Sequence, residues 1–80
     1  MPSEEADAFF KALVEELKET RAASGVSQDQ LAIQSGVDRA IISRLERLER
    51  IPSVMALYDL ARALKVPFHV ICQKADQRNQ

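Results

Sequence analysis

The sequence predicts an all-α protein, a compact bundle of about five helices, and three observations carry that prediction. Apolar residues recur three and four positions apart along most of the chain, and no useful run alternates apolar with polar residues as a half-buried strand would. Prolines and glycines punctuate the periodic segments from outside: Pro2, Gly25, Gly36, Pro52 and Pro67 all fall at expected boundaries. Short polar side chains stand where helices should begin, at Ser3, Ser27, Asp38 and Ser53, each able to accept a bond from an orphan first-turn amide.

The first helix follows Ser3, with Glu4, Glu5 and Asp7 in a first turn where the helix dipole favours negative charge. Its buried stripe is Ala6, Phe9 or Phe10, Leu13, Val14 and Leu17, and Gly25 closes it. At roughly twenty residues it reaches about 30 Å. Phe9 and Phe10 point about 100° apart, so only one can lie at the centre of the core stripe; the other is left for a partner or a tail. Two short helices follow, capped by Ser27 and Asp38, with Leu31 and Ala32 inward on one, and Ile42 and Leu45 inward on the other. A fourth helix begins at Pro52 or Ser53 with Val54, Leu57, Leu60, Ala61 and Leu64 as its stripe. After Pro67 the run PFHVICQK fits a short fifth helix or a turn, although Val66 to Cys72 also has local strand character. From Lys74 the polar sequence KADQRNQ has nothing to bury and is expected to fray.

Eighty residues support one domain, spanning 1–80, and one small core near the lower limit for folding without metals or disulfides, so self-association is expected. Cys72 has no partner for an internal disulfide, and with His69 it supplies too few ligands for structural zinc; it reads as a buried or half-buried thiol in a reducing compartment. No segment resembles a membrane span or a signal peptide, which implies a cytoplasmic protein without a membrane partner. The formal net charge of -1 conceals an asymmetry. Ser3 to Glu19 carries Glu4, Glu5, Asp7, Glu15, Glu16 and Glu19 against Lys11 and Lys18, whereas Asp38 to Lys65 carries Arg39, Arg44, Arg47, Arg50, Arg62 and Lys65 against Asp38, Glu46, Glu49 and Asp59. An acidic end and a basic middle suit a molecule with only one face toward a polyanion.

The stretch Ser27 to Glu46, SQDQLAIQSGVDRAIISRLE, organises the chain. Ala32 allows close helix approach four residues before Gly36, which takes the positive φ of a sharp turn at no steric cost. Ile42 and Leu45 then return apolar side chains to the same crevice. This is the pattern of a helix-turn-helix unit, here 27–47, with its second helix over about 38–47. An enzyme reading finds little: one histidine, no phosphate-cradling glycine loop, no metal-ligand cluster and no nucleophile with a base beside it.

Leu17, Arg21, Gly25, Ser27 to Ala32 (SQDQLA), Gly36-Val37, Ile41 to Glu46 (IISRLE), Pro52-Ser53 and Leu60 to Val66 (LARALKV) follow one another in an order and spacing that resembles the lambda-repressor-like, or XRE-type, helix-turn-helix family. The resemblance covers most of the chain, from Leu13 to about Ile71. It implies a homodimeric transcriptional regulator that binds double-stranded DNA at a palindromic operator, without cofactor and without a small-molecule effector domain. By that resemblance Arg39, Ala40, Ser43 and Arg44 face the bases, with an arginine able to bond guanine O6 and N7 and Ala40 able to meet a thymine methyl. Gln28, Arg47 and Arg50 lie toward phosphates, while intrahelical pairing with Glu46 or Glu49 is the alternative for the two arginines. Arg21 and Glu46 match a structural ion pair. Phe68 and Ile71 are candidates for the dimer contact or, equally, for the chain's own core. Leu48 replaces the family's usual glycine after the second helix of the unit, so that helix either runs on by up to a turn or ends by another route. The competing class is a protein-interaction module, antitoxin-like or partner-binding, that keeps the fold without specific DNA binding; the acidic first helix favours it.

Overall fold

In the computed structural model, which describes residues 2–79, the chain forms five helices: α1 (Glu4–Ala23), α2 (Gln28–Ser35), α3 (Arg39–Glu46), α4 (Val54–Ala63) and α5 (Phe68–Arg78). No strand occurs among the described residues, so the segment after Pro67 takes the helical option. The capping logic of the sequence holds at four helix starts. The amides of Ala6, Gln30, Ala40 and Ala56 donate to the side chains of Ser3, Ser27, Asp38 and Ser53 at 3.0–3.1 Å. At Ser27 the bond is reciprocated, because Gln30 Oε1 accepts from the Ser27 amide at 2.9 Å, completing a capping box.

The helix ends explain how Leu48 is accommodated. Gly25, Leu48 and Lys65 all have φ between 62° and 69°, in the left-handed region. At each, the following amide reaches back to close the helix: Val26 to Arg21, Glu49 to Arg44 and Val66 to Ala61, at 2.8–3.3 Å. The left-handed residue's own amide bonds the Ala22, Leu45 or Arg62 carbonyl, at 2.9–3.0 Å. These are three Schellman closures, and only the first uses the glycine that makes the conformation free. Thus α3 stops at Glu46 and does not run on; Leu48 adopts the cap conformation at a cost of about 1 kcal/mol.

The core gathers one stripe from each helix. Val14, Ile42, Leu45, Leu60 and Ile71 are its largest fully enclosed side chains, joined by Leu13, Leu17, Leu31, Val37, Leu57 and Leu64. Helix α5 lies along α1, while α2 packs between α3 and α4. Phe9 and Phe10 are both half-buried against the core, so neither is wholly released for a partner. Val54, expected in the buried stripe of α4, is instead exposed at the start of that helix.

Near the C-terminus the structure differs from one expectation and takes one of two alternatives at another. The segment from Lys74 does not fray: α5 continues to Arg78, Ala75 is fully buried, and Arg78 Nε bonds Glu16 Oε1 at 2.8 Å while its terminal nitrogen bonds Glu19. A single small apolar residue in a polar run is enough to dock the last turn when acidic partners wait on α1. Ile71 takes the core alternative, being 1% exposed within the chain's own packing. Phe68, one turn earlier, is only half-buried.

Candidate nucleic-acid interface

Helices α2 and α3 are joined by a tight turn at one end and by a side-chain bond at the other. At the turn, Gly36 at φ 76° donates its amide to the Ala32 carbonyl at 2.9 Å. Beside it the Val37 amide donates to buried Ser35 Oγ at 3.1 Å. At the open end, Glu46 accepts from Arg21 Nε and a terminal Arg21 nitrogen at 2.7 and 2.9 Å, and from Gln28 Nε2 at 3.0 Å. The remaining terminal nitrogen of Arg21 donates to the Val26 carbonyl at 2.9 Å. One carboxylate therefore ties α1, α2 and α3 together, with the Arg21 and Glu46 side chains only 17% and 9% exposed. Burial pushes the Glu46 carboxyl up, but the bonds from Arg21 and then Gln28 outweigh it and hold the group below the usual carboxylate range. The Arg21 guanidinium is raised by its bond to Glu46.

With Ile42 and Leu45 locked inward, α3 turns Arg39, Ala40 and Arg44 to solvent and leaves Ser43 half-buried. The arginines differ sharply in what holds them. Arg44 and Arg50 form no ion pair among the described residues. Arg39 approaches Asp29 on α2, Nε to Oδ1 at 2.8 Å, with both side chains exposed. Arg47 is fully engaged: Nε and one terminal nitrogen bond Glu49 at 3.0 and 3.1 Å, and the other bonds Ser43 Oγ at 2.6 Å. Those bonds raise the Arg47 guanidinium and lower the Glu49 carboxyl, to which Arg44 also contributes through space.

The sequence-predicted site residues thus divide. Arg39, Ala40, Ser43 and Arg44 share the outward side of α3, and Arg50 lies exposed in the connection that follows. Gln28 turns its side-chain amide inward, where Nε2 donates to Glu46. Arg47 takes the intramolecular alternative. Asp29 is the residue that the sequence did not single out, a carboxylate beside an arginine of the outward face, as Glu49 is beside Arg47. Asp29 lies ten positions before Arg39, so no local spacing rule could reveal the pair.

Comparison with known proteins agrees with this geometry. A helix-turn-helix family model, HTH_3, matches residues 17–71. The HTH-type transcriptional regulator SutR of Escherichia coli (strain K12) is 40% identical over 52 residues, covering 65% of this chain but 29% of SutR. The uncharacterized HTH-type transcriptional regulator y4dJ of Sinorhizobium fredii (strain NBRC 101917 / NGR234) is 41% identical over 46 residues, covering 58% of this chain and 60% of y4dJ. The chain therefore spans less than two thirds of either relative. Among solved structures, the wild-type restriction-modification controller protein C.Esp1396I superposes with a TM-score of 0.82 at 25% identity, over 89% of this chain and 93% of that one. A buried helix-turn-helix framework, a family match over most of the chain and a superposition at this level lead to one conclusion: the chain belongs to the XRE-type helix-turn-helix family HTH_3, a family of DNA-binding transcriptional regulators.

Proposed function

We propose that this chain is a sequence-specific double-stranded DNA-binding regulator that acts as a homodimer on a palindromic operator, with α3 as its recognition helix. The observation that carries the reading is the outward side of α3: Arg44 stands exposed, with no ion pair among the described residues, on a helix whose inner side is immobilised by Ile42 and Leu45. An arginine so placed can fork onto guanine O6 and N7 in the major groove. Ala40 is small enough to meet a thymine methyl, and Ser43 stands at the margin between base and backbone. Arg39 reads a base with its free terminal nitrogens while Asp29 holds its Nε side. Phosphates are met by Arg50 and by the backbone amides at the start of α2, where the helix dipole favours an anion.

The test is enrichment from a pool of random duplexes over a salt series. The expected result is one enriched half-site repeated at about 34 Å, one turn of the duplex. In Arg44→Ala a loss of about 1–3 kcal/mol is expected, concentrated at one base pair of each half-site. A uniform loss over all sequences would make Arg44 a phosphate contact. No enrichment at moderate salt would favour the protein-interaction reading, which the carboxylates Asp29 and Glu49 beside the outward arginines support.

A further inference from the structure

Arg39, Arg44, Arg47 and Arg50 lie on α3 and in the connection after it, yet they offer a polyanion less charge than their number suggests. Arg39 has Asp29 at 2.8 Å and Arg47 has Glu49 at 3.0 Å, so each pair is neutral as a unit. The second pair is the more complete. Nε and one terminal nitrogen of Arg47 bond the two Glu49 oxygens at 3.0 and 3.1 Å, and the other terminal nitrogen bonds Ser43 Oγ at 2.6 Å. A guanidinium fork fits a carboxylate as it fits a phosphate, and here the carboxylate already occupies it. The backbone of Glu49 is anchored as well. Its amide donates to the Arg44 carbonyl at 2.8 Å, in the closure that the Leu48 amide completes by bonding the Leu45 carbonyl at 2.9 Å. The chain thereby turns Glu49 back against the last turn of α3, while half-buried Ser43, one turn before Arg47, holds the opposite edge of the guanidinium.

We propose that Glu49 is a positioning residue that withholds Arg47 from the DNA backbone and so sets the strength of the part of binding that does not depend on sequence. This rests on the DNA-binding reading above and deepens it. Two ligands compete for one guanidinium. Moving Arg47 from Glu49 to a phosphate exchanges one charge-assisted fork for another of similar strength and breaks the bond to Ser43. It also strands the Glu49 carboxylate beside a polyanion, where like charges repel. Both changes oppose the exchange, so Arg47 keeps its intramolecular partners on the duplex. Affinity for arbitrary duplex grows with the number of phosphates that cations neutralise, each adding about 0.9 to the slope of log affinity against log salt. A neutral Arg47–Glu49 pair adds nothing to that slope. Arg44 and Arg50, which form no ion pair among the described residues, carry it instead.

The test is a salt series of duplex binding by the wild type, Glu49→Gln and the double variant Arg47→Ala, Glu49→Gln, on both enriched and random duplexes. Both side chains are more than half exposed, and circular dichroism should show unchanged helix content in each variant. Glu49→Gln releases Arg47 to a phosphate: the slope should steepen by about 0.9, with binding tightened several-fold alike on enriched and random duplexes. That uniformity separates it from Arg44→Ala, whose loss is concentrated at one base pair. The double variant removes a neutral pair and should return to the wild-type slope. A double variant whose slope falls about 0.9 below wild type overturns the proposal, because Arg47 would then already neutralise a phosphate in the wild type. An unchanged slope in Glu49→Gln overturns it too, as does a steepening that persists in the double variant, which would make Glu49 act without Arg47. In each of these outcomes duplex binding by the wild type leaves the DNA-binding reading standing. A wild type that binds no duplex even at low salt instead removes that reading and the proposal together.

Discussion

Replacing Glu46 by alanine isolates the contribution of the carboxylate that ties three helices. The substitution removes the acceptor of two Arg21 donors and of Gln28, leaving a guanidinium that is only 17% exposed without its counter-charge. Breaking one side of a buried pair costs about 3–5 kcal/mol, and the residual exposure here places the loss near about 3. A domain of this length has roughly 4–12 kcal/mol of stability in total, so the variant loses a large share of it. With a urea slope of about 1 kcal/mol/M, the midpoint falls by roughly 3 M. The double variant Arg21→Met, Glu46→Leu should recover most of the loss, because removing both charges also removes the penalty of burying either. The pair also has an acid limb. The folded carboxyl lies below its unfolded value of about 4.3, so its stabilisation is complete above that pH and is lost as pH falls through the folded value. Glu46→Gln should flatten this acid loss. A cost below about 1 kcal/mol with an unchanged acid profile would refute the reasoning and reduce the pair to a solvent-screened bridge.

Asp29→Asn should loosen Arg39 without unfolding the protein; competition against single-base operator variants is expected to show weaker discrimination at one base pair and stronger binding to random duplex, whereas unchanged discrimination would deny Asp29 a positioning role. Lys65→Gly should relieve the left-handed backbone after α4 and raise the thermal midpoint by several degrees, about 1 kcal/mol, since its side chain is exposed. Ending the chain after Gln73 removes Ala75 and Arg78 and should lower stability by about 1–3 kcal/mol in denaturant titration. A neutral outcome would return the last turn to the frayed state that its polarity suggests.

The architecture was readable because its determinants are local: Ser3, Ser27, Asp38 and Ser53 announce the helix starts, and Gly25 and Gly36 lie at two of the turns. What escaped reading depends on partners distant in sequence. Arg78 looks solvated until Glu16 and Glu19 are set beside it across α1 and α5. Ile71 looks like surplus apolar surface until α5 is laid on α1. The end of α3 was illegible for a different reason, since the choice between a longer helix and a strained cap is made by two backbone bonds, from Leu48 and Glu49, that no residue type encodes. In the candidate interface the outward set on α3 follows from helical spacing alone. Which arginines stand unengaged follows only in part: the Arg47–Glu49 pair is a neighbour alternative that the sequence offers, whereas Asp29 reaches Arg39 from another helix.

The double fastening of α2 to α3 has a mechanical consequence. A lever pinned at one point can swing; pinned at the Gly36 turn and again where Gln28 meets Glu46, it cannot. As the proposed recognition helix, α3 would therefore enter a groove as a fixed tooth, its pitch against α2 set before contact. In the proposed complex, the fit between tooth and groove is then made by rotation of long side chains and by bending or twisting of the duplex. Sequences that deform easily would be favoured even at base pairs that no side chain touches.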